Sequence, residues 1–432
     1  MAPFLPTFAD PKPTKQLGFM AKFWVKRSQD EIKERVFKAL SENVNYEKEG
    51  ILGIPASYLD ERVFNQDASF LKDAPFLYAL TQNPNHIGCH TLGKSEPFFA
   101  GTQAIERELI DICAVDILKG NPGEQDGYVA AGGTEANIQA IWVYRNYFMR
   151  EHGAKREEIA ILCSQDSHYS MDKAGNLLVL DLFKFEVDDD TRLASTEMVA
   201  AAIDRARAAG KKYFITIANM MTTMFGSVDD VEAILTALKT SNSKFRLHVD
   251  GAYGGFYYPF TDEGSKLTFQ NSDISSFTLD AHKMAQSPYG TGIFLIRKGL
   301  IQYANTQEAS YVEGEDFTLS GSRSGANAIA VWMILSQNGP YGWDEKIFIL
   351  QKRAEWLSKQ LTSLGVEFYR HAGSNIVTIR TPYVHPSVAS HYGLVPDNHH
   401  APRWYKIVIM EHVSIEKLSL FIEDMKSKIP MA

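Results

Sequence analysis

Residues 276–284 read SFTLDAHKM, and residues 248–253 read HVDGAY. Each segment contains or follows an apolar run that predicts a buried β-strand, so Asp250 and Lys283 both lie where a strand ends. A carboxylate beside such a run is costly to bury without a cationic partner, and burial lowers the pKa of a lysine amine. The two segments therefore predict a site that combines a carboxylate with a reactive amine.

This pair of groups suits pyridoxal 5'-phosphate. That cofactor needs an amine to hold its aldehyde as a Schiff base and a carboxylate to keep its pyridine nitrogen protonated, because the charged ring draws electrons from the substrate α-carbon. Lys283 and Asp250 have this chemistry. Ala252 faces the same side as Asp250 in an extended segment, and its methyl group would let a ring lie flat. Taken alone, Asp250 is more simply explained as a residue that caps a turn with Gly251.

Two further motifs could complete the site. Residues 132–137 read GGTEAN before a strong helix pattern, so Gly133 and Thr134 could bind phosphate at a helix N-terminus, although a glycine turn with a threonine cap also explains them. His168 follows a strand ending at Cys163, at the edge where open α/β sheets bind ligands. Its imidazole could stack on a heteroaromatic ring or could be structural. Only the four elements together, in this order, are specific.

The composition narrows the class of protein. The chain has 432 residues, a formal net charge of −8 and no long basic cluster, which disfavours nucleic-acid and anionic-membrane partners and favours a small-molecule substrate. Its three cysteines show no C-x-x-C spacing, so we expect reduced thiols in a cytoplasmic protein and no metal site. The start of the chain lacks a leader pattern, and no apolar run approaches the ~18 residues of a membrane span.

Alternating patterns predict an α/β fold with a mostly parallel central sheet flanked by helices, followed by a smaller C-terminal α+β unit. The predicted strands of the large unit are 159–163, 214–217, 245–249, 274–279 and 292–296, and its helices are 104–118, 134–150, 196–209 and 230–239. The smaller unit has a long helix at 326–364 broken near Gly339-Pro340, strands at 375–379 and 405–410, and a last helix at 414–428. We expect an N-terminal arm and helices at 1–70, a large cofactor-binding domain at 71–310 and a small domain at 311–432.

Taken together, these motifs resemble the group II pyridoxal-phosphate-dependent amino-acid decarboxylases, which include the aromatic-amino-acid, glutamate and histidine decarboxylases. The resemblance covers roughly Pro84 to Gly325. Its matching motifs are 166–170, 248–252 and 281–283, joined by Thr222-Thr223, Gly226 and Asp229-Asp230. The resemblance implies the fold-type I architecture, a homodimer with active sites at the subunit interface, and decarboxylation of an L-amino acid to an amine and CO2.

The resemblance also implies roles for individual residues. Lys283 would be the Schiff-base lysine, Asp250 the partner of the pyridine nitrogen and His168 the histidine that stacks on the ring. The further cofactor contacts, several of them at the phosphate, would be Gly133, Thr134, Glu135, Thr222, Ala252 and His282. Tyr311 falls where several members carry a mobile-loop tyrosine that helps to protonate the reaction intermediate.

The substrate is less well defined by the sequence. His90 and Phe98 lie in a region that often lines the substrate pocket of the family, and they suit an aromatic or imidazole side chain, although aspartate stays open. Arg323 could hold a carboxylate or phosphate by a bidentate contact, or could lie at a subunit interface.

Two features depart from the family pattern. Met221 stands where members commonly have glycine before the Thr-Thr pair, and the segment between Tyr311 and Ser320 is too short for a long closing loop. The alternative reactions on the same cofactor are carbon–carbon lysis and oxidative decarboxylating deamination to an aldehyde. A regulatory protein without activity is disfavoured, because no DNA-binding module precedes the domain.

Overall fold

The computed structural model describes residues 21–44, 68–82, 97–262, 264, 266–304 and 316–428. Its large unit is built on one seven-stranded sheet. The strands are β1 (Gln125–Ala130), β2 (Ile159–Ser164), β3 (Asp181–Phe185), β4 (Tyr213–Asn219), β5 (Lys244–Gly251), β6 (Ile274–Asp280) and β7 (Gly292–Arg297). Their order is β1-β7-β6-β5-β4-β2-β3, and β7 runs antiparallel to both of its neighbours while the others are parallel. The predicted mostly parallel sheet is confirmed.

The apolar runs explain which strands the sequence predicted. Every residue of β2 and of β6 is buried, as expected for inner strands covered on both faces. The pattern missed β1, which contains Asp126 and Gly127, and β3, an edge strand whose first residues are partly exposed. Neither strand has the continuous apolar run on which the prediction depended.

Helices cover both faces of the sheet. They are α3 (Ala100–Asp111), continued by a π-helical turn at Ile112–Ile117, α4 (Gly133–His152), α5 (Ser170–Leu178), α6 (Thr196–Ala208) and α7 (Val231–Thr240). One apolar cluster joins α4 and α5 to one face, and a second joins α3, α6 and α7 to the other. The helices of the predicted alternation are therefore confirmed, with ends shifted by a few residues.

The C-terminal unit contains a long helix and a small antiparallel sheet. Its helices are α8 (Gly325–Ser363), α9 (Pro386–His391) and α10 (Ile415–Lys428), and its strands β8 (Phe368–Tyr369), β9 (Ile376–Arg380), β10 (Val395–Pro396) and β11 (Trp404–Val408) lie in the order β10-β11-β9-β8. Helix α8 is kinked at Gly339, which has a φ of 65° and precedes Pro340. The sequence predicted a break at this position. The predicted boundary at 310/311 lies outside the described residues, so the domain limits stay a prediction.

The described N-terminal residues dock on the rest of the chain. Helix α1 (Gln29–Glu42) begins with a capping box between Ser28 and Glu31, and α2 (Pro75–Gln82) packs against α8. Trp24 is buried, and its indole N–H donates to the Leu335 carbonyl at 2.7 Å. Trp24 therefore anchors this segment to the core, and Ala21 and Phe23 pack against it while partly exposed.

Across the described ranges, no helix is both long enough and apolar enough to cross a membrane.

A buried ion pair joins α3, β1 and the residues before α8. Both Nη atoms of Arg323 bind the Glu106 carboxylate, with Nη2 3.1 Å from Oε2, and the two residues are 6% and 2% exposed. The Val129 N–H donates to the same carboxylate at 2.7 Å, and the guanidinium lies over the Tyr128 ring. Three segments that are distant in the chain thus share one charged contact.

Removing one partner of this pair should be costly, because the other charge would stay buried without compensation. We expect Arg323→Ala or Glu106→Ala to lower the free energy of unfolding by about 3–5 kcal/mol. The paired replacement Glu106→Leu with Arg323→Met should recover most of that loss. Urea denaturation of the cofactor-free protein measures all three variants. A change in the free energy of unfolding of about 1 kcal/mol or less in each single variant, as for an exposed ion pair, would contradict this account.

Candidate active site

The ends of the parallel strands meet around one pocket, as expected for an open α/β sheet. The residues that line the pocket are His168, Asn219, Met221, Thr222, Thr223, Asp250, Ala252, Tyr253 and Lys283. The structure therefore brings together five of the residues singled out from the sequence: Lys283, Asp250, His168, Thr222 and Ala252.

Asp250 is a buried carboxylate at the end of β5, and only 7% of its surface is exposed. Its Oδ2 accepts from the Asn137 side-chain amide at 2.9 Å, and its Oδ1 accepts from the Ala252 N–H at 3.1 Å. Both donors are neutral. These two hydrogen bonds come from neutral groups and not from a cation, so the carboxylate is available to pair with a cation in the pocket, such as a protonated pyridine nitrogen.

His168 lies in the turn between β2 and α5 and is half-buried. Its Nδ1 lies 2.9 Å from the Ser170 hydroxyl and accepts from the Ser170 backbone N–H at 3.2 Å. Burial lowers the pKa of this imidazole; the charge of Asp250 opposes that shift, and Lys283 and Lys173 add to it. The ring is therefore neutral near pH 7.

Lys283 follows β6 in a turn closed by its backbone N–H and the Asp280 carbonyl at 3.2 Å. It lines the same pocket as Asp250 and His168. An amine and a carboxylate on adjacent strands, with an imidazole on a third, match the chemistry of a pyridoxal-phosphate site. The donor set therefore fits this cofactor.

The glycine turn at the start of α4 packs tightly against the site. A Cβ at Gly133 would lie 2.9 Å from the Ala252 methyl, so a side chain there would displace the residue expected to support a ring. The Gly133 N–H donates to Asp280 Oδ2 at 3.1 Å, and Asp280 Oδ1 lies 2.8 Å from His282 Nδ1. Asp280 thus holds the helix N-terminus against the lysine turn.

Glu135 is a correction to the sequence prediction. Its carboxylate accepts from the Ala131 N–H at 3.0 Å and from the Ser320 hydroxyl at 2.9 Å, so it caps the glycine turn. A carboxylate in this position accepts hydrogen bonds and would repel a phosphate, so the expected phosphate contact is not supported. Gly133, Thr134 and His282 stay candidates for the phosphate end.

Arg323 is a second correction. Its guanidinium is bound to Glu106 in the interior, and it is not among the pocket residues given above. The expected contact with a substrate carboxylate is therefore not supported. Phe98 packs edge-on against Phe99, with ring centroids 6.2 Å apart, and is also not among those pocket residues. His90 and Tyr311 lie outside the described residues.

Met221 has a backbone conformation that suits glycine, the residue that the family resemblance led us to expect there. Its φ is +67°, in the left-handed region, where a side chain costs about 1–2 kcal/mol. The residue is 3% exposed and lines the pocket. The departure noted in the sequence is therefore a strained, buried methionine at the wall of the site.

The sequence missed a second lysine. Lys406, in β11, donates from Nζ to the carbonyl of Thr223 on the pocket wall at 2.9 Å. Burial lowers its pKa, and the charge of Lys283 adds to that effect. The sequence pattern gave only a strand at this position, and a lysine within a strand is ordinarily exposed.

A polar layer beneath the pocket was also missed. Asp229 Oδ2 accepts from the backbone and side-chain N–H groups of Asn219 at 2.8 and 2.7 Å, and burial raises the pKa of Asp229 to about 7. Asn137, one turn into α4, binds Asp250 and also lies 3.0 Å from His248 Nε2. Two amide residues, Asn137 and Gln139, among the apolar residues of this helix were the available signal.

Comparisons with known proteins agree with this geometry. Residues 104–377 match the family model described as the pyridoxal-dependent decarboxylase conserved domain. Over 406 residues the chain is 50% identical to the tryptophan decarboxylase of Clostridium sporogenes, covering 94% of this chain and 97% of that protein. It is 31% identical over 335 residues to a probable L-tyrosine/L-aspartate decarboxylase of Methanocella arvoryzae, covering 77% and 85%.

Solved structures with this fold include L-methionine decarboxylase from Streptomyces sp. 590, with a TM-score of 0.66, 20% identity and coverage of 92% and 93%. A second is Oryza sativa TDC with PLP and tryptamine, with a TM-score of 0.69, 14% identity and coverage of 92% and 95%. At these identities the likeness concerns the fold, and the predicted fold-type I architecture is confirmed.

The buried histidine of β5 should make the protein sensitive to acid. Burial lowers the pKa of His248 from 6.5 to about 4, with Asp250 opposing the shift. Between these values the unfolded chain binds a proton that the folded chain does not, so stability falls as the pH falls through this window, by at most about 1.4 kcal/mol per pH unit. Urea denaturation midpoints measured from pH 7 to pH 4 should fall with this slope. His248→Gln should make the dependence of stability on pH shallower, by the equivalent of up to one bound proton. An unchanged slope in that variant would contradict the assignment.

Proposed function

The chain belongs to the pyridoxal-dependent decarboxylase family, and from this membership we propose that it converts an aromatic L-amino acid, L-tryptophan first, into its amine and CO2. It is a lyase that uses pyridoxal 5'-phosphate. The observation that carries the proposal is the single pocket formed by Lys283, Asp250 and His168. The identity to a tryptophan decarboxylase supports the choice of an indole substrate.

When bound, pyridoxal 5'-phosphate supplies a protonated ring that accepts the electron pair left by a bond broken at the α-carbon. In our proposal the amine of Lys283 holds the cofactor aldehyde, and Asp250 faces the ring nitrogen and keeps it protonated. Ala252 and His168 flank the ring. The turn at Gly133 and Thr134, with His282 and Thr222, receives the phosphate end.

We propose that Lys406 holds the substrate carboxylate. Arg323 is committed to Glu106. Lys406 is not itself among the pocket residues, but it donates to the carbonyl of Thr223, which is, and it is only partly buried. A carboxylate held by this ammonium would be oriented relative to the ring before its bond breaks. Which α-carbon bond breaks is then a matter of position.

The side chain of the substrate would meet an apolar and aromatic wall. Met221 and Tyr253 line the pocket beside His168, and a methionine thioether packs well against an aromatic ring. The Tyr253 hydroxyl is committed to Asn375 Oδ1 at 3.1 Å, so its ring is fixed in place. These surroundings favour an indole or phenol over a long cationic side chain.

The homodimer implied by the resemblance and the cytoplasmic location expected from the cysteine pattern are part of the same proposal. Cys113 and Cys163 are both buried free thiols, as expected of a reducing compartment.

A panel of amino acids tests the reaction. We expect protein loaded with the cofactor to release CO2 and tryptamine from L-tryptophan, with slower or no turnover of tyrosine, phenylalanine, histidine, aspartate and methionine, by mass spectrometry of the products. Lys283→Ala should abolish turnover. Aldehyde with hydrogen peroxide would instead assign an oxidative deaminase.

Borohydride reduction of the loaded protein separates the site from the substrate. We expect a stable cofactor adduct on the peptide that contains Lys283. An adduct at another lysine would overturn the assignment of Lys283. An adduct at Lys283 without product from any amino acid would uphold the site and reject the simple amino-acid decarboxylase.

Lys406 gives a sharper test of substrate binding. Losing a charge-assisted contact should weaken binding by about 10- to 100-fold, so we expect Lys406→Met to raise KM for L-tryptophan by that factor. Inhibition by tryptamine, which lacks the carboxylate, should be unchanged. Lys417→Met, an exposed lysine of α10, is the matched control. Equal weakening of substrate and tryptamine would refute the carboxylate contact.

A further inference from the structure

A buried chain of hydrogen bonds runs beneath the pocket and ends at His168. Its members are polar side chains of α4, β5, β6 and the turn before α5: Tyr144, Ser276, His248, Asn137, Asp250, Ser170 and His168. All except His168 are buried. The chain is continuous, so the direction of one hydrogen bond constrains the direction of the next.

The charge of Asp250 sets the direction. A carboxylate only accepts, so the Asn137 group that faces Asp250 Oδ2 at 2.9 Å must be its NH2. The Asn137 oxygen therefore faces His248 Nε2 at 3.0 Å and requires a proton on that nitrogen. His248 is neutral, so its Nδ1 is an acceptor and takes the Ser276 hydroxyl proton at 2.7 Å. The Tyr144 hydroxyl in turn donates to Ser276.

The other branch leads to His168. The second N–H of the Asn137 amide donates to the Ser170 oxygen at 3.0 Å. The Ser170 backbone N–H donates to His168 Nδ1 at 3.2 Å, so that nitrogen is an acceptor, and the Ser170 hydroxyl, 2.9 Å away, directs its own proton to it. Two donors converge on Nδ1, so that nitrogen cannot carry a proton without losing both contacts. The ring proton of the neutral imidazole must lie on Nε2.

We infer that Asn137 and Ser170 are positioning residues that keep His168 neutral, with its proton on Nε2, while Asn137 orients the Asp250 carboxylate. The effect on the bound cofactor rests on the proposed function. The directions of the hydrogen bonds do not, because they involve protein atoms alone.

The arrangement protects the charge of Asp250. The charged groups that face His168 are Asp250, Lys283 and Lys173, and Asp250 is the one that favours an imidazolium. If His168 were protonated, it would share the negative charge that the pyridine nitrogen needs. Ser170 donates to Nδ1 from its hydroxyl and its backbone N–H, and Asn137 donates to the Ser170 oxygen. Together they reserve the charge of Asp250 for the cofactor and leave His168 with one N–H to donate.

Reversing one hydrogen bond tests the inference. In Asn137→Asp the new carboxyl group lies against Asp250 and shares one proton with it, so residue 137 donates to Asp250 and presents only an oxygen lone pair to Ser170. The Ser170 hydroxyl should then turn toward residue 137, and its oxygen should accept a proton from His168 Nδ1. We expect the His168 proton to move to Nδ1, its pKa to rise by at least one unit, and the acidic limb of the pH–kcat profile to move to higher pH. Nitrogen-15 NMR of histidine-labelled protein, with and without cofactor, reports the tautomer and the pKa.

Three further variants separate positioning from folding. Ser170→Ala should raise the pKa of His168 in the same direction, and Ser170→Thr, which keeps the hydroxyl, should restore it. Gln139→Ala removes another buried amide of α4, one that donates to the Phe317 carbonyl at 2.7 Å, and should leave His168 unchanged.

A native His168 that carries its proton on Nδ1 would overturn the inference, whether or not the variants fold. So would an unchanged tautomer and pKa in folded Asn137→Asp. The expected tautomer in a protein that decarboxylates no amino acid would uphold the inference and reject the proposed function, so the two failures are distinguishable.

Discussion

A single buried carboxylate at the end of β5 is the constraint around which the pocket is built. Leaving Asp250 ionised in the interior demands donors, and burial forbids water from supplying them all. Asn137 provides one donor and the Ala252 backbone provides another. Because Asn137 lies on α4 and Ala252 follows β5, the charge fixes the helix against the strand ends, and the polar groups below it take their directions from the same atom.

The glycine turn at the start of α4 also holds this helix against the strand ends. Gly133 lies so close to Ala252 that any side chain would push α4 away from the sheet, and Asp280 then ties this turn to the segment that carries Lys283. The amine, the carboxylate and the helix N-terminus come from three parts of the chain, yet two short contacts hold them in register. This explains how a site made of loop residues can be rigid.

Much of this could be predicted from the sequence where the signal was local. The inner strands β2, β4, β5, β6 and β7 have apolar runs, and Asp250, His168 and Lys283 follow such runs directly, so their convergence followed from the rule for parallel sheets. The errors concern partners that are distant in the chain. Arg323 meets Glu106 across 217 positions and Glu135 meets Ser320 across 185, and no local pattern reveals either contact. Lys406 was missed for the same reason, because its strand reaches the pocket only through the packing of the C-terminal unit.

The strained Met221 couples the shape of the pocket wall to the stability of the fold, two properties that usually vary separately. The turn that follows it is closed by the Thr222 N–H to the Ser227 carbonyl and the Gly226 N–H to the Thr222 carbonyl, both at 2.8 Å, so the backbone there is set by its neighbours and not by the side chain. Changing Met221 therefore reshapes the pocket wall and releases or adds conformational strain in one step. Selection for a different substrate at this position would also be selection on thermal tolerance, and the order in which such substitutions can accumulate in a lineage would depend on the stability held in reserve elsewhere.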